Sequence, residues 1–148
     1  MSKKKQPKTK ITPFPTKQPK IASSPDSYNK MNPCWRISKI EMEGAYGWHN
    51  LDTETLVYMK DKLAHFESMT WSEILVDAKK FNHSVNVEDL CTEAQTRLRE
   101  IKQDDVDQLV SLRFSGKQRV WGILDQGIMT LFWWDPEHNV CPSYLKNT

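Results

Sequence analysis

Apolar residues recur with a helical period in the middle of the chain. Between residues 52 and 101, apolar side chains follow one another every three or four positions, as they do in amphipathic helices. Asp52 can cap the first helix, and Asn86 can cap the third. Thr70 and Glu73 have the spacing of a capping box at the start of the second. The sequence therefore predicts three consecutive helices.

Alternating apolar and polar residues predict strands on both sides of this helical region. The segment 34–43 alternates and favours an N-terminal strand. Later in the chain, the segments 109–114, 118–124 and 128–134 alternate and are separated only by short turns that contain glycine. This order predicts an α+β domain with an N-terminal strand, three helices, and a C-terminal antiparallel β-meander packed on the helices.

Charge is divided unevenly along the chain. Residues 1–30 contain eight lysines, five prolines and a single acid, Asp26, for a net charge of +7, whereas residues 31–148 have a net charge of −5. Residues 1–30 contain too few apolar side chains for burial to offset the entropy lost on ordering the segment. We therefore predict a disordered basic tail over 1–30 and a single domain over 31–148. The tail could bind a polyanion such as nucleic acid, or it could be only a solvated, solubilising segment.

Several function classes lack the motifs that they require. The sequence has no run of about 18 apolar residues and no apolar leader, which argues against a membrane partner and against secretion. The three cysteines are widely spaced without a CxxC pair, which favours a cytoplasmic location. HxxxH and HExxH spacings and a glycine-rich phosphate loop are also absent, so we predict no metal site and no cofactor.

The turns between the last strands predict which side chains share a face of the sheet. A two-residue turn after Phe114 would pair Leu112 with Arg119, and a three-residue turn after Leu124 would pair Trp121 with Leu131. The face so defined carries two cations and two indole rings, namely Lys117, Arg119, Trp121 and Trp133. Cations that meet phosphates beside rings that stack on bases favour single-stranded RNA. Alternatively, both tryptophans are core residues and Arg119 pairs with Asp135.

Candidate groups for RNA cleavage lie at the end of the last predicted strand. Metal-free cleavage needs a base for the 2′-hydroxyl proton, an acid for the leaving oxygen and a cation for the charged phosphorane. His138 is a candidate acid or base because imidazole groups in general titrate near neutral pH, and Glu137 could be its partner or a base in its own right. Arg119 or Lys117 could hold the phosphate, and Tyr144 could stack on a base or donate a proton. Alternatively, Glu137 and His138 are solvated side chains of a turn. The predicted RNA-binding residues are Lys117, Arg113, Trp121, Trp133 and His49.

Arg113 and the segment 116–142, together with the order of strand, helices and meander, resemble the RelE/ParE toxin superfamily. The resemblance implies that Arg119 binds the phosphate, Glu137 and His138 form the acid–base pair, and Tyr144 stacks on a base. It further implies that the partners are mRNA, which can be ribosome-bound, and a small antitoxin protein. The third helix, the lysine-rich tail and the acidic domain differ from the usual members of that family.

These observations lead to three hypotheses. The first is a metal-independent endoribonuclease of the toxin–antitoxin type that cleaves mRNA by 2′-hydroxyl attack. The second is a non-catalytic RNA- or protein-binding module that uses the tryptophan-rich sheet face and the basic tail. The third is an accessory factor whose apolar sheet face is covered by a partner.

Overall fold

A five-stranded sheet organises the part of the chain that the computed structural model describes, residues 28–142. The strands and helices follow one another as β1 (Cys34–Arg36), α1 (Thr53–Glu67), a π-helical segment (Glu73–Asp77), β2 (His83–Asn86), α2 (Thr92–Glu100), β3 (Gln108–Arg113), β4 (Arg119–Asp125) and β5 (Ile128–Asp135). Two 3-10 turns, Trp48–Asn50 and Val87–Asp89, precede α1 and α2. The predicted α+β class is confirmed.

The strands are arranged differently from a simple meander with one N-terminal strand. Their order across the sheet is β1-β5-β4-β3-β2, and β1 runs parallel to β5 while the other neighbours are antiparallel. The N-terminal strand covers only three residues of the predicted segment 34–43. Strand β2 was not predicted, because Val85 is its only buried residue and leaves no alternating pattern to detect.

The helix starts follow local capping interactions in two of the three predicted places. The Asp52 side chain accepts a hydrogen bond from the Thr55 amide at 2.8 Å and begins α1. Glu73 accepts from the Thr70 amide at 2.8 Å, which is the predicted capping box, but the helix that follows is a short π-helical segment. Asn86 instead ends β2, and α2 begins after Cys91, whose sulfur accepts from the Ala94 amide.

Helical segments cover both faces of the sheet. On one face, α1 and the π-helical segment pack against strand residues such as Leu112 and Val120. On the other face, Leu98 of α2 is fully buried against Trp121 and Trp133. The meander therefore packs on helices from two sides. The face with Trp121 and Trp133, which was expected to be open to RNA, is part of the core. This happens because β3, β4 and β5 carry apolar residues on both faces.

The strand register also differs from the assumed one. The β3–β4 turn contains three residues, 115–117, instead of the expected two, because the Phe114 amide donates to the Gln118 carbonyl and Arg113 lies opposite Arg119. The β4–β5 turn contains two residues, 126–127, instead of the expected three, since Asp125 lies opposite Ile128. A bulge at Phe132 adds a second shift, so that Trp121 lies opposite Trp133 rather than Leu131. The predicted pairs of Leu112 with Arg119 and of Trp121 with Leu131 are therefore wrong.

The start of the described chain is attached to the folded part. The carbonyl of Asn29 accepts from the Ser72 amide, and the carbonyl of Met31 accepts from the Trp71 amide, both at 2.9 Å. Residues 28–30, which we had assigned to the tail, thus pack beside the π-helical segment. The rest of the predicted tail and Tyr144 lie outside the described residues. Within the described range, no helix is long and apolar enough to cross a membrane.

Candidate anion-binding site at the β3–β4 turn

The two tryptophans that were expected to stack on RNA bases belong to the core. Trp121 is 1 % exposed and Trp133 is fully buried. The Trp121 indole N–H donates to Asp135 at 3.2 Å, and the Trp133 indole N–H donates to Glu41 at 3.2 Å. In this fold neither ring can reach a base, which agrees with the alternative that both are core residues.

Two arginines meet at the β3–β4 turn. Arg113 ends β3, Arg119 begins β4, and the two are paired across the strands. The Arg113 Nε donates to the Gly116 carbonyl at 3.2 Å, and the Arg119 Nη1 donates to the same carbonyl at 2.8 Å. Arg119 also donates to the Gln118 carbonyl at 3.0 Å. One backbone oxygen therefore holds two guanidinium groups beside each other.

These neighbouring cations are not neutralised. Burial lowers the pKa of Arg119, the nearby charge of Arg113 lowers it further, and the charge of Asp135 offsets only part of this. Within residues 28–142, neither arginine has a carboxylate oxygen within ion-pair distance. Their remaining N–H groups have no acceptor in this part of the chain. Guanidinium groups in this state suit a phosphate, which accepts paired charge-assisted hydrogen bonds.

The segment after β5 reaches the same end of the sheet. The Lys117 Nζ lies 3.9 Å from a carboxylate oxygen of Glu137, and both side chains are largely exposed. An exposed pair at this distance contributes little stability, so the two groups remain available to other partners. The next residue, His138, has a left-handed backbone conformation with φ of +61°. At this turn the structure thus pairs Arg113 with Arg119 and Lys117 with Glu137, and His138 follows Glu137 in the chain.

Asp135 holds this segment in place. It is 1 % exposed, and its side chain accepts from the amides of Asn139 and Val140 at 2.8 and 3.0 Å as well as from the Trp121 indole. Asp135 lies opposite Arg119 across β4 and β5. No oxygen of Asp135 lies within ion-pair distance of Arg119, so the ion pair that the alternative interpretation proposed for these two residues is not formed. The role of Asp135 is therefore to anchor the turn that carries Glu137.

His49 lies away from the arginine pair. It is exposed in the 3-10 turn Trp48–Asn50, and its imidazole folds back against Gly47. A small cavity of about 230 Å³ lies between this turn and the start of β4, and it is lined by Asn50 on one side and Gln118 on the other. No contact in the structure joins His49 to the arginines.

A cleft beside Arg113 was not predicted from the sequence. It has a volume of about 420 Å³ and lies between the C-terminal half of α1, residues 81–82 and the β3–β4 turn. Phe81 is 44 % exposed at its edge, and the Arg113 guanidinium carbon lies 4.9 Å from the centre of that ring. Lys79 and Lys80 directly precede Phe81, and this run of two cations and an aromatic residue was the signal available in the sequence.

A buried amide fixes Arg113 relative to the cleft. Asn82 is 5 % exposed; its side-chain oxygen accepts from the Arg113 amide at 2.9 Å, and its side-chain nitrogen donates to the Ile74 carbonyl at 3.3 Å. Asn82 therefore joins the π-helical segment to the end of β3, next to Phe81. The cleft is held by packed and hydrogen-bonded elements.

Among residues 28–142, no group of three or more His, Cys, Asp or Glu side chains is placed to hold a metal ion.

No protein-family model matches the chain, and comparison with curated proteins and with solved structures finds no significant match. The resemblance to the RelE/ParE superfamily is neither supported nor contradicted by these comparisons.

Proposed function

We propose that the domain binds RNA and holds a backbone phosphate at the arginine pair of Arg113 and Arg119. The observation that carries this proposal is the convergence of two guanidinium groups on the Gly116 carbonyl without a neutralising carboxylate. Lys117, on the same turn, adds a third cation. The +7 charge of residues 1–30 favours a polyanion over a small anion, since each contacted phosphate releases counterions.

Binding of the full chain to a labelled single-stranded RNA, followed by fluorescence anisotropy at several salt concentrations, tests this proposal. The double variant Arg113→Gln/Arg119→Gln should bind about tenfold more weakly, and the slope of log K against log salt should fall by about 0.7 for the one lost phosphate contact. Arg99→Gln is the matched control, because Arg99 is exposed on α2 and donates only to Thr96. Equal binding by the double variant and the wild type would remove the arginine pair as the site.

Metal-independent RNA cleavage is a second candidate function, favoured by the 3.9 Å approach of Glu137 to Lys117 beside the arginine pair. In this function Glu137 or His138 takes the proton of the 2′-hydroxyl, whose oxygen attacks the phosphorus. The arginines stabilise the charged phosphorane. The other member of the acid–base pair protonates the leaving 5′-oxygen, which yields a 2′,3′-cyclic phosphate and a 5′-hydroxyl end. Tyr144 would stack on a base, as the RelE-like toxins imply.

Incubation of RNA with the purified protein in the presence of a chelator distinguishes binding from cleavage. A nuclease should produce 5′-hydroxyl fragments, and Glu137→Gln and His138→Gln should lose cleavage while keeping the affinity for RNA. Expression of the wild type in growing cells should then arrest growth, whereas these variants should not. Intact RNA after incubation with the wild type would reject the nuclease function and leave binding alone.

A further inference from the structure

We infer that the cleft beside Arg113 receives one unpaired base of the bound RNA, so that the domain selects single strands over duplex. This inference rests on the proposed RNA binding and assigns a ligand to a cleft that the phosphate contact does not use. Arg113 lines the cleft and also belongs to the arginine pair, so a phosphate on the pair would be next to the cleft opening.

The walls of the cleft have the chemistry of a base-stacking site. Phe81 is exposed to 44 % although most large apolar side chains of this fold are buried. The Arg113 guanidinium lies over the ring, with its carbon 4.9 Å from the ring centre, and this cation–π contact supports the ring from one side. An exposed, supported aromatic ring next to a cation stacks well on a base, because every base has a π face.

The floor and rim of the cleft favour a flat apolar group joined to an anion. Phe66 and Met69 provide apolar surface, and Lys62 lies at the rim with its Nζ 5.5 Å from the Phe66 ring. His65 adds a polar group from the same helix. The volume of about 420 Å³ lies in the range of small-ligand pockets, and it is sufficient for one planar heterocycle. A base that is paired and stacked in a duplex cannot enter it, whereas an unpaired base can.

The decisive experiment compares RNA with a polyanion that has no bases. The full chain is titrated with single-stranded RNA that carries 2-aminopurine, with the duplex of the same sequence and with inorganic polyphosphate. For the wild type we expect quenching of 2-aminopurine on binding and at least tenfold weaker binding of the duplex. Phe81→Ala should bind the single strand about tenfold more weakly and lose the quenching, but it should bind polyphosphate as the wild type does.

Two further variants control for effects on folding and on Arg113. Phe81→Leu keeps an apolar side chain without an aromatic face and should behave as Phe81→Ala, whereas Phe81→Trp should restore binding. If Phe81→Ala weakens RNA and polyphosphate equally, the ring acts only by positioning Arg113, and the inference is overturned. Unchanged RNA binding by Phe81→Ala, or equal affinity of the wild type for duplex and single strand, would also overturn the base-binding inference. The proposed RNA binding at the arginine pair would then remain valid. Absence of wild-type binding to either polyanion would instead refute the proposed function itself.

Discussion

Replacing Asp135 by alanine should destabilise the domain strongly, although the residue is charged and lies at a strand end. In the fold, its buried side chain accepts three hydrogen bonds, two of them from groups that are themselves buried, the Val140 amide and the Trp121 indole. A buried donor that loses its acceptor costs about 1–3 kcal/mol. Loss of both buried partners therefore predicts a decrease of about 3 kcal/mol in the free energy of unfolding.

Urea unfolding followed by tryptophan fluorescence measures this effect, since Trp121 reports on the core next to Asp135. With a slope of about 2 kcal/mol per molar urea, the midpoint for Asp135→Ala should fall by about 1.5 M. Asp135→Asn keeps an acceptor oxygen and should lose less. Glu137→Gln, an exposed neighbour, is the control and should unfold like the wild type. A decrease below about 1 kcal/mol for Asp135→Ala would refute the view that this side chain anchors the segment after β5.

Two further predictions concern a glycine and a helix cap. Gly122→Ala should lower the free energy of unfolding by about 3 kcal/mol, because a Cβ there would collide with the Thr130 carbonyl oxygen. Gly116→Ala should lower it by only about 1 kcal/mol, because the added Cβ meets no atom and only the φ of +52° is unfavourable. Thermal unfolding compares the two variants, and equal losses of stability would contradict the close packing of Gly122 beside the bulge. Hydrogen bonds with Thr55 lower the pKa of Asp52 in the folded protein. The ionised carboxylate therefore stabilises the fold fully above its pKa in the unfolded chain, about 3.9, and this stabilisation is lost as the pH falls through the lower pKa of the folded protein. Asp52→Asn should remove this part of the acid sensitivity, and unfolding curves of both proteins with the same pH dependence between pH 5 and 2 would contradict it.

The cleft and the arginine pair show why the candidate site was only partly predictable. Arg113, Lys117 and Arg119 were identified because they are cations near a turn, and the turn itself holds the two arginines together through the Gly116 carbonyl. Phe81 was overlooked, since it follows the π-helical segment and is 32 positions from Arg113 in the sequence. Its contact with Arg113 depends on the pairing of β2 with β3, which the local pattern did not reveal.

The sequence by itself determined the elements whose signals lie within a few residues. The Asp52 cap, the Thr70–Glu73 capping box and the strands after residue 105 are formed by neighbours in the chain, and all three were predictable. Only the tertiary structure decided which faces are buried. Trp121 and Trp133 are core residues because α2 packs on their face of the sheet, which the alternating pattern alone did not show to be covered. The bulge at Phe132 places the two tryptophans opposite each other. Burial and register depend on contacts between distant segments, so the same alternating pattern is compatible with an exposed or a covered face.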